Sequence, residues 1–209
     1  MTQEEKTTKQ KILEVSNDLF AKNGFSETSV REIAAKAGVN IAAINYHFKS
    51  KETLYWTVFE FNYETIKEGV RKSGERTTTT VELAIEVYKF FISSESAMLN
   101  MFKIFLSDSL GPPPEEEFGG GHHKGPPGED IFLQKIKSDL GEGYPAESYR
   151  WVIKMIFSLL VHFGVVMNTS LMKKKCKEDE DLLPGNLERF IGHSVQAHLD
   201  YIKKKPKLD

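Results

Sequence analysis

Apolar residues recur along this chain at spacings of three, four and seven, the period of helices with one buried side. Ile12, Leu13, Leu19 and Phe20, with Val15 beside them, predict a first amphipathic helix over residues 7–22. Gly24 follows, free to take the left-handed conformation that ends a helix. Thr28-Ser29, with Glu32 three residues after Ser29, predicts a short second helix opened by a capping box. Val30, Ile33, Ala34 and Ala37 form its buried side, and Gly38 stops it. Asn40 is a good N-cap for a third helix, in which Ile44 and Phe48 share one face. Ser50, with Thr53 three residues on, starts a fourth and longer helix that turns Leu54, Val58, Phe61 and Ile66 inward and fades near Ser73-Gly74. No β-alternation of any length appears in the first 75 residues.

The remainder keeps the helical period. A threonine at or before Thr80 caps an apolar-rich segment from Val81 to about Leu110, with a break expected near Ser93-Ser94. Residues 111–130, GPPPEEEFGGGHHKGPPGED, are dense in Pro and Gly and predict a long loop. Helical periodicity resumes over 131–140. Pro145 suits the first position of a helix running to about Met172, and Asn186 caps a last one to about Lys205. About nine helices and no repeats give an all-α fold.

Composition narrows the classes. The chain has 209 residues, 40% apolar and 28% charged, an ordinary folded composition with room for one large domain or two unequal ones. The single cysteine, Cys176, excludes an intramolecular disulfide framework and suits a reducing, cytoplasmic setting. The polar opening MTQEEKTTKQ carries no secretory signal pattern. The longest apolar run, Trp151 to Met167, is interrupted by Lys154, Ser158 and His162, so no membrane partner is expected. Formal net charge is −2, and residues 1–51 hold eight Lys or Arg against six acids. Any DNA binding there rests on a few placed contacts, not on a strong field.

One stretch concentrates the chemistry: TSVREIAAKAGVNIAAINYHFKSKETLY, residues 28–55. Two helices crossing steeply through a tight turn need small side chains at their contact and a residue tolerant of positive φ between them. Ala34 and Gly38 supply both, and Ile44 plugs the seam from the second helix. That is helix-turn-helix spacing. The stretch closely resembles the N-terminal DNA-binding segment of TetR-family transcriptional repressors, on Thr28, Val30-Arg31, Ile33-Ala34, Ala37-Gly38-Val39, Tyr46-His47-Phe48, Lys51 and Leu54. The preceding LFAKNGF, residues 19–25, also matches, and beyond residue 55 the resemblance is architectural. Asn40 to Asn45 departs from the commonest pattern, in which many members have Ser and then Gly two residues later.

The residues and the resemblance agree on roles. Asn40 to His47 is the expected recognition helix, its N-terminal end entering the major groove. Ile41 and Ala42 suit apolar contact with a thymine methyl, and Asn45 suits adenine. Tyr46 and His47 are similar to family positions on phosphate or sugar. Thr28 and Ser29 at one helix start, and Lys51 at another, offer anion sites; Arg31 reaches a phosphate or a guanine. The resemblance implies domains 1–51 for DNA binding and 52–209 for effector binding and dimerisation. It further implies a homodimer on a palindromic double-stranded operator and a small-molecule effector, whose apolar or aromatic character is expected from the aromatic load. With no nucleophile beside a base, no phosphate loop and no ordered metal set, no enzymatic activity, cofactor or metal is expected.

The apolar helix after Ala146 and the last helix supply the expected dimer interface: Trp151, Met155, Phe163, Ile191, Val195 and Leu199. An intrachain core is the alternative. Phe59, Tyr63, Phe90, Phe102, Phe105 and His162 are the expected effector contacts, against the plainer reading of core aromatics and a satisfied histidine. His122-His123 beside Glu115-Glu116-Glu117 lack organised metal spacing and read as a solvated loop. The lysine runs 173–175 and 203–207 read as solvated helix ends, and Cys176 as a surface thiol. Two other functions stay open: a DNA-binding protein without effector, and, more remotely, a helical metal-dependent enzyme built on the loop histidines.

Overall fold

The computed structural model describes residues 7–93, 95–106, 125–167, 169–175 and 179–207. Among them are ten α-helices and no strand. They are α1 (Thr8–Glu27), α2 (Val30–Ala37), α3 (Ile41–Phe48), α4 (Lys51–Glu75), α5 (Thr80–Ser93), α6 (Glu95–Leu106), α7 (Glu129–Leu140), α8 (Ala146–Val161), α9 (Ser170–Lys175) and α10 (Pro184–Lys203). The all-α class is therefore the observed one. The Pro/Gly-rich loop with His122, His123 and Glu115–Glu117, and also Cys176, lie outside the described residues.

The chain forms two compact units, Met1–Thr65 with Asn100–Lys124, and Ile66–Leu99 with Gly125–Asp209. The first is built on a core of Ile12, Phe20, Ile33, Ile44, Phe48, Leu54, Val58 and Ile104, each at most 2% exposed. Here α1 and α4 also share a buried polar contact: Asn62 Nδ2 donates to Asn17 Oδ1 at 2.8 Å. Asn62 takes the inward position expected of its neighbour Phe61, which is 36% exposed. A Thr7/Gln10 capping box opens α1, which runs past the expected end to Glu27 with a kink at Gly24 (φ 78°, ψ 177°).

The second unit packs α10 against α5 and α8, and α7 against α8. Phe132 of α7 meets Phe157 of α8 edge-on at 5.3 Å. The turn before α5 is tied to α7, since the Thr80 N–H donates to Asp139 Oδ2 (2.7 Å) and the Lys135 ammonium to the Thr77 carbonyl. Thr79 caps α5 through the Glu82 N–H. The Glu82 carboxyl is held below its ordinary value, first by the Thr78 N–H it accepts and then by the Thr78 hydroxyl and Thr79 N–H.

Two helix ends differ from the periodicity. The long helix expected to reach Met172 ends at Val161, passes through a π-helical turn at His162–Val166, and resumes only as α9. Gly164 lies in that turn, packed so closely that a Cβ there would lie 3.0 Å from the Phe91 ring. Ala146–Val166 is long and apolar enough to cross a membrane by length and composition, yet Val152, Ile153, Ile156 and Leu160 are buried within the unit as in a core helix. The last helix starts earlier than expected, with Pro184 in its first turn and Leu183, not Asn186, at the N-cap.

Gly128 is constrained by both its backbone and its neighbours. It opens α7 at φ +80°, and a Cβ there would meet Val70 Cγ1 at 2.5 Å and Cβ at 2.8 Å. Gly128→Ala is expected to lose about 2 kcal/mol or more, from left-handed backbone strain and overpacking together. Gly185→Ala, within α10 and with nothing within 4 Å, should be neutral or stabilise by up to about 1 kcal/mol. Urea unfolding of the two variants checks the pair.

Candidate nucleic-acid interface

The site is assembled by local rules around one turn. Ser29 Oγ accepts the Glu32 N–H at 3.1 Å and so caps α2. The Glu32 carboxylate does not complete the expected box but pairs with Lys36 at 3.2 Å. At the other end Gly38 takes φ 67°, ψ 34°, its N–H donating to the Ala35 carbonyl, while the Val39 N–H donates to the Ala34 carbonyl at 3.0 Å. These two bonds make a Schellman ending and aim the chain into α3. Asn40 Oδ1 then accepts the Ala43 N–H at 2.7 Å. Its side chain is occupied as the cap of α3.

One face of α3 is core: Ile44 is 1% and Phe48 2% exposed. The other face is open. Ile41 is 40% and Tyr46 84% exposed, and Ala42 and Asn45 are exposed beside them. His47 is half-buried, its ring 5.2 Å from Tyr46 and 6.0 Å from Phe48. Arg31 is exposed on α2. The structure thus brings Ile41, Ala42, Asn45 and Tyr46 together on one solvent-facing surface of a helix fixed from behind.

After α3 the chain turns at once. Lys49 has φ 62°, ψ −50°, and the Ser50 N–H donates to the Phe48 carbonyl at 2.6 Å, a tight three-residue turn. Ser50 Oγ accepts the Thr53 N–H at 3.0 Å and starts α4 as expected.

Thr28 and Lys51 stand at helix starts as expected, and their side chains turn to carbonyls of their own chain. Thr28 is 1% exposed, and its hydroxyl faces the carbonyls of Gly24 (2.8 Å) and Leu19 (3.3 Å). The Lys51 ammonium donates to the carbonyls of Phe25 (2.9 Å) and Thr28 (3.1 Å), and it lies 4.1 Å from the centroid of the Phe25 ring. Sequence matching finds both positions but not these contacts, because nothing in their spacing shows that Gly24 leaves carbonyls in need of donors.

The remaining expected residues divide. Of the dimer set, Trp151 is 43% exposed, while Met155 and Phe163 are half-buried. Ile191, Val195 and Leu199 are 0, 0 and 2% exposed and belong to the core of their own chain, which corrects their expected place on an open face. The open face of α8 and α10 is aromatic and offset from them: Tyr201 is 52% and Phe190 51% exposed, Trp151 stacks near His198 (5.3 Å) and Tyr201 (5.8 Å), and Phe163 meets Phe190 at 5.6 Å. Of the effector set, Phe59 and Phe102 are half-buried and Tyr63 is 9% exposed in the first unit. Phe90 belongs to the second unit, its ring set against Gly69. His162 is exposed, not turned inward, and the Phe105 side chain lies outside the described residues. Among the described residues no three His, Cys, Asp or Glu side chains gather as a metal site.

Residues 12–56 match the family described as bacterial regulatory proteins, tetR family. The HTH-type transcriptional regulator AcrR of Shigella flexneri is 35% identical over 108 residues, covering 49% of this chain and 50% of AcrR. The probable HTH-type transcriptional regulator YttP of Bacillus subtilis is 41% identical over 73 residues, 35% of each chain. The chain thus spans half or less of the length of these relatives. A TetR transcriptional regulator from Legionella pneumophila shares the fold, with a TM-score of 0.60 over 92% of this chain and 99% of that one at 24% identity. Residues 12–56, with the Gly38 turn and the open face of α3, therefore carry the segment that marks the tetR family of bacterial regulatory proteins.

Proposed function

We propose that the protein is a cytoplasmic, sequence-specific DNA-binding transcriptional regulator that acts as a homodimer on a palindromic operator, represses there, and is released by a small-molecule effector. The observation that carries the reading is the face of α3: four exposed side chains on a helix whose opposite side is locked into the core. A helix presented in this way fits the major groove. Ile41 and Ala42 then meet thymine methyls, and Asn45 pairs with adenine. Tyr46, His47 and Arg31 hold the flanking backbone, with the first-turn N–H groups of α2 facing phosphate.

One such module reads only a half-site. The exposed aromatic face of Trp151, Phe190 and Tyr201 supports pairing with a second copy, which would set two recognition helices about 34 Å apart on successive major-groove faces. An effector that binds better to a wider-spaced state shifts the population off DNA. Its apolar or aromatic character follows the load of Phe59, Tyr63, Phe90 and Phe102. A second reading, DNA binding with no effector, is favoured by the exposure of His162 and by the Phe90 ring filling the space over Gly69.

Selection from a random duplex pool should return a palindrome. Asn45→Ala is expected to cost about 1–3 kcal/mol and relax the preference at a single base-pair position in each half-site. Tyr46→Ala should weaken all sequences evenly. Failure to enrich any sequence at low salt would sink the regulator reading. For the dimer, Trp151→Glu with Tyr201→Glu should halve the mass seen by light scattering and abolish palindrome binding while leaving the helical circular dichroism unchanged; an unaltered mass removes this face from the interface.

A further inference from the structure

We infer that the cleft between the end of α7 and the start of α8 binds a small organic anion with a flat apolar body. Its aromatic side is fixed from within. Gly141 and Gly143 take φ 78° and 100°, and the chain turns from α7 into α8 over residues 141–145. Across that turn the Tyr149 hydroxyl donates to the Gly141 carbonyl at 2.9 Å and accepts the Tyr144 N–H at 3.4 Å. Tyr144 is 7% and Tyr149 4% exposed, and their rings meet edge-on at 6.3 Å. Such a surface is ordered before a ligand arrives, so binding costs little further ordering.

The two tyrosines line a cleft of about 390 Å³, a size proper to a small-molecule site. Leu133 of α7 is its apolar wall, and Lys137 and Arg150 border it from the two helices. The Lys137 ammonium stands 5.8 Å from the Tyr149 ring centroid. Beyond α10 the chain brings in a further cation: Lys207 lies against Gly143, with its ammonium 5.2 Å from the Tyr144 ring centroid. Among the described residues, none of these three cations is paired with a carboxylate. The acids close by are otherwise placed. Asp139 accepts the Thr80 N–H, and Glu129 turns its Oε2 to within 1.5 Å of where a Gly125 Cβ would stand. Glu142 borders the cleft from the loop and is exposed to solvent.

That arrangement selects both the charge and the shape of a ligand. A carboxylate between Lys137 and Arg150 supplies the counter-charge that the chain leaves out, and a guanidinium can hold it by two parallel N–H bonds. An ammonium beside a ring keeps N–H donors to give. A bare inorganic ion would meet the cations and leave Leu133 and the tyrosines against water, whereas a flat apolar body covers them. None of Phe59, Tyr63, Phe90, Phe102 and His162 lines this cleft. The site is therefore separate from the expected effector contacts, and its test needs no DNA.

Calorimetric titration of the full chain with 2-naphthoate should show saturable binding of a single molecule per chain. Neutral 2-naphthamide and inorganic phosphate should each bind about tenfold more weakly or worse. Lys137→Met and Arg150→Met, both at exposed positions, should each weaken 2-naphthoate about tenfold, the loss of a hydrogen bond to a charged group. Lys207→Met, beyond the last helix and so without consequence for folding, should weaken it severalfold; this arm decides the matter if the other two variants do not fold. Lys154→Met, the same loss of charge on α8 but outside the cleft, should leave it unchanged. No saturable heat up to millimolar 2-naphthoate overturns the inference, as does equal binding of the amide. Phosphate bound as tightly as 2-naphthoate means an adventitious ion only and overturns it too. Full affinity in the Lys137, Arg150 and Lys207 variants places the ligand elsewhere, and an equal loss in Lys154→Met reduces the effect to net charge. Either result sinks the site.

Discussion

The turn at Gly38 is the constraint on which the recognition surface depends. Space is not what demands glycine there, since a Cβ would meet nothing within 4 Å. The demand is conformational: φ 67° places the Val39 N–H on the Ala34 carbonyl and reverses the chain in a single residue. Only then can Ile44 and Phe48 reach the core that holds Ile33 and Ala34. A helix of eight residues such as α3 is far too short to persist alone in water. Its stability comes from those two buried side chains and from the Asn40 cap. Ile41, Ala42, Asn45 and Tyr46 are consequently relieved of any part in folding, which is what leaves them open to a ligand.

A second accounting runs behind the first. The kink at Gly24 gives α1 a left-handed residue inside its assigned length, and each freed carbonyl must find a donor or carry a cost of about 1–3 kcal/mol if buried. The buried Asn17–Asn62 pair has a similar function further along α1. A net hydrogen bond of this kind adds only about 1 kcal/mol. Its larger effect is on register, because an α1–α4 packing slipped by a turn would leave two amides unmatched in the core. Asn62, rather than Phe61, faces inward to make that contact.

These particulars mark how far the sequence could be read. Caps and stops were legible because they depend on one short side chain at a fixed offset: Ser29, Asn40 and Ser50 accept from the N–H groups three residues on. The core side of α3 was legible for the same local reason. What depends on distant partners was not. The helical period runs on through Gly164 in the sequence, and the close approach of Phe91, more than seventy residues away, is not visible there. Ile191, Val195 and Leu199 form the strongest apolar stripe of their helix, and that stripe is the one their own chain buries. The exposed aromatics are offset from it and mixed with polar neighbours. Asn40 shows a further limit: one amide suited two duties, and the cap had first claim.

The weak charge of this chain constrains how such a surface can act. With an excess of only two basic residues over 1–51, the proposed reading draws little affinity from a strong overall field. On the proposed reading, discrimination would arise from Ile41, Ala42 and Asn45 against base edges, at about 1–3 kcal/mol for a good contact. On that same reading, each half-site alone would be too weak to hold, and affinity would depend on two modules engaging in register. A regulator of this design needs no large rearrangement at the recognition helix itself. Its sensitivity lies in whatever fixes the spacing, and so in the interface between copies and in the contacts that hold α2 and α3 against α4.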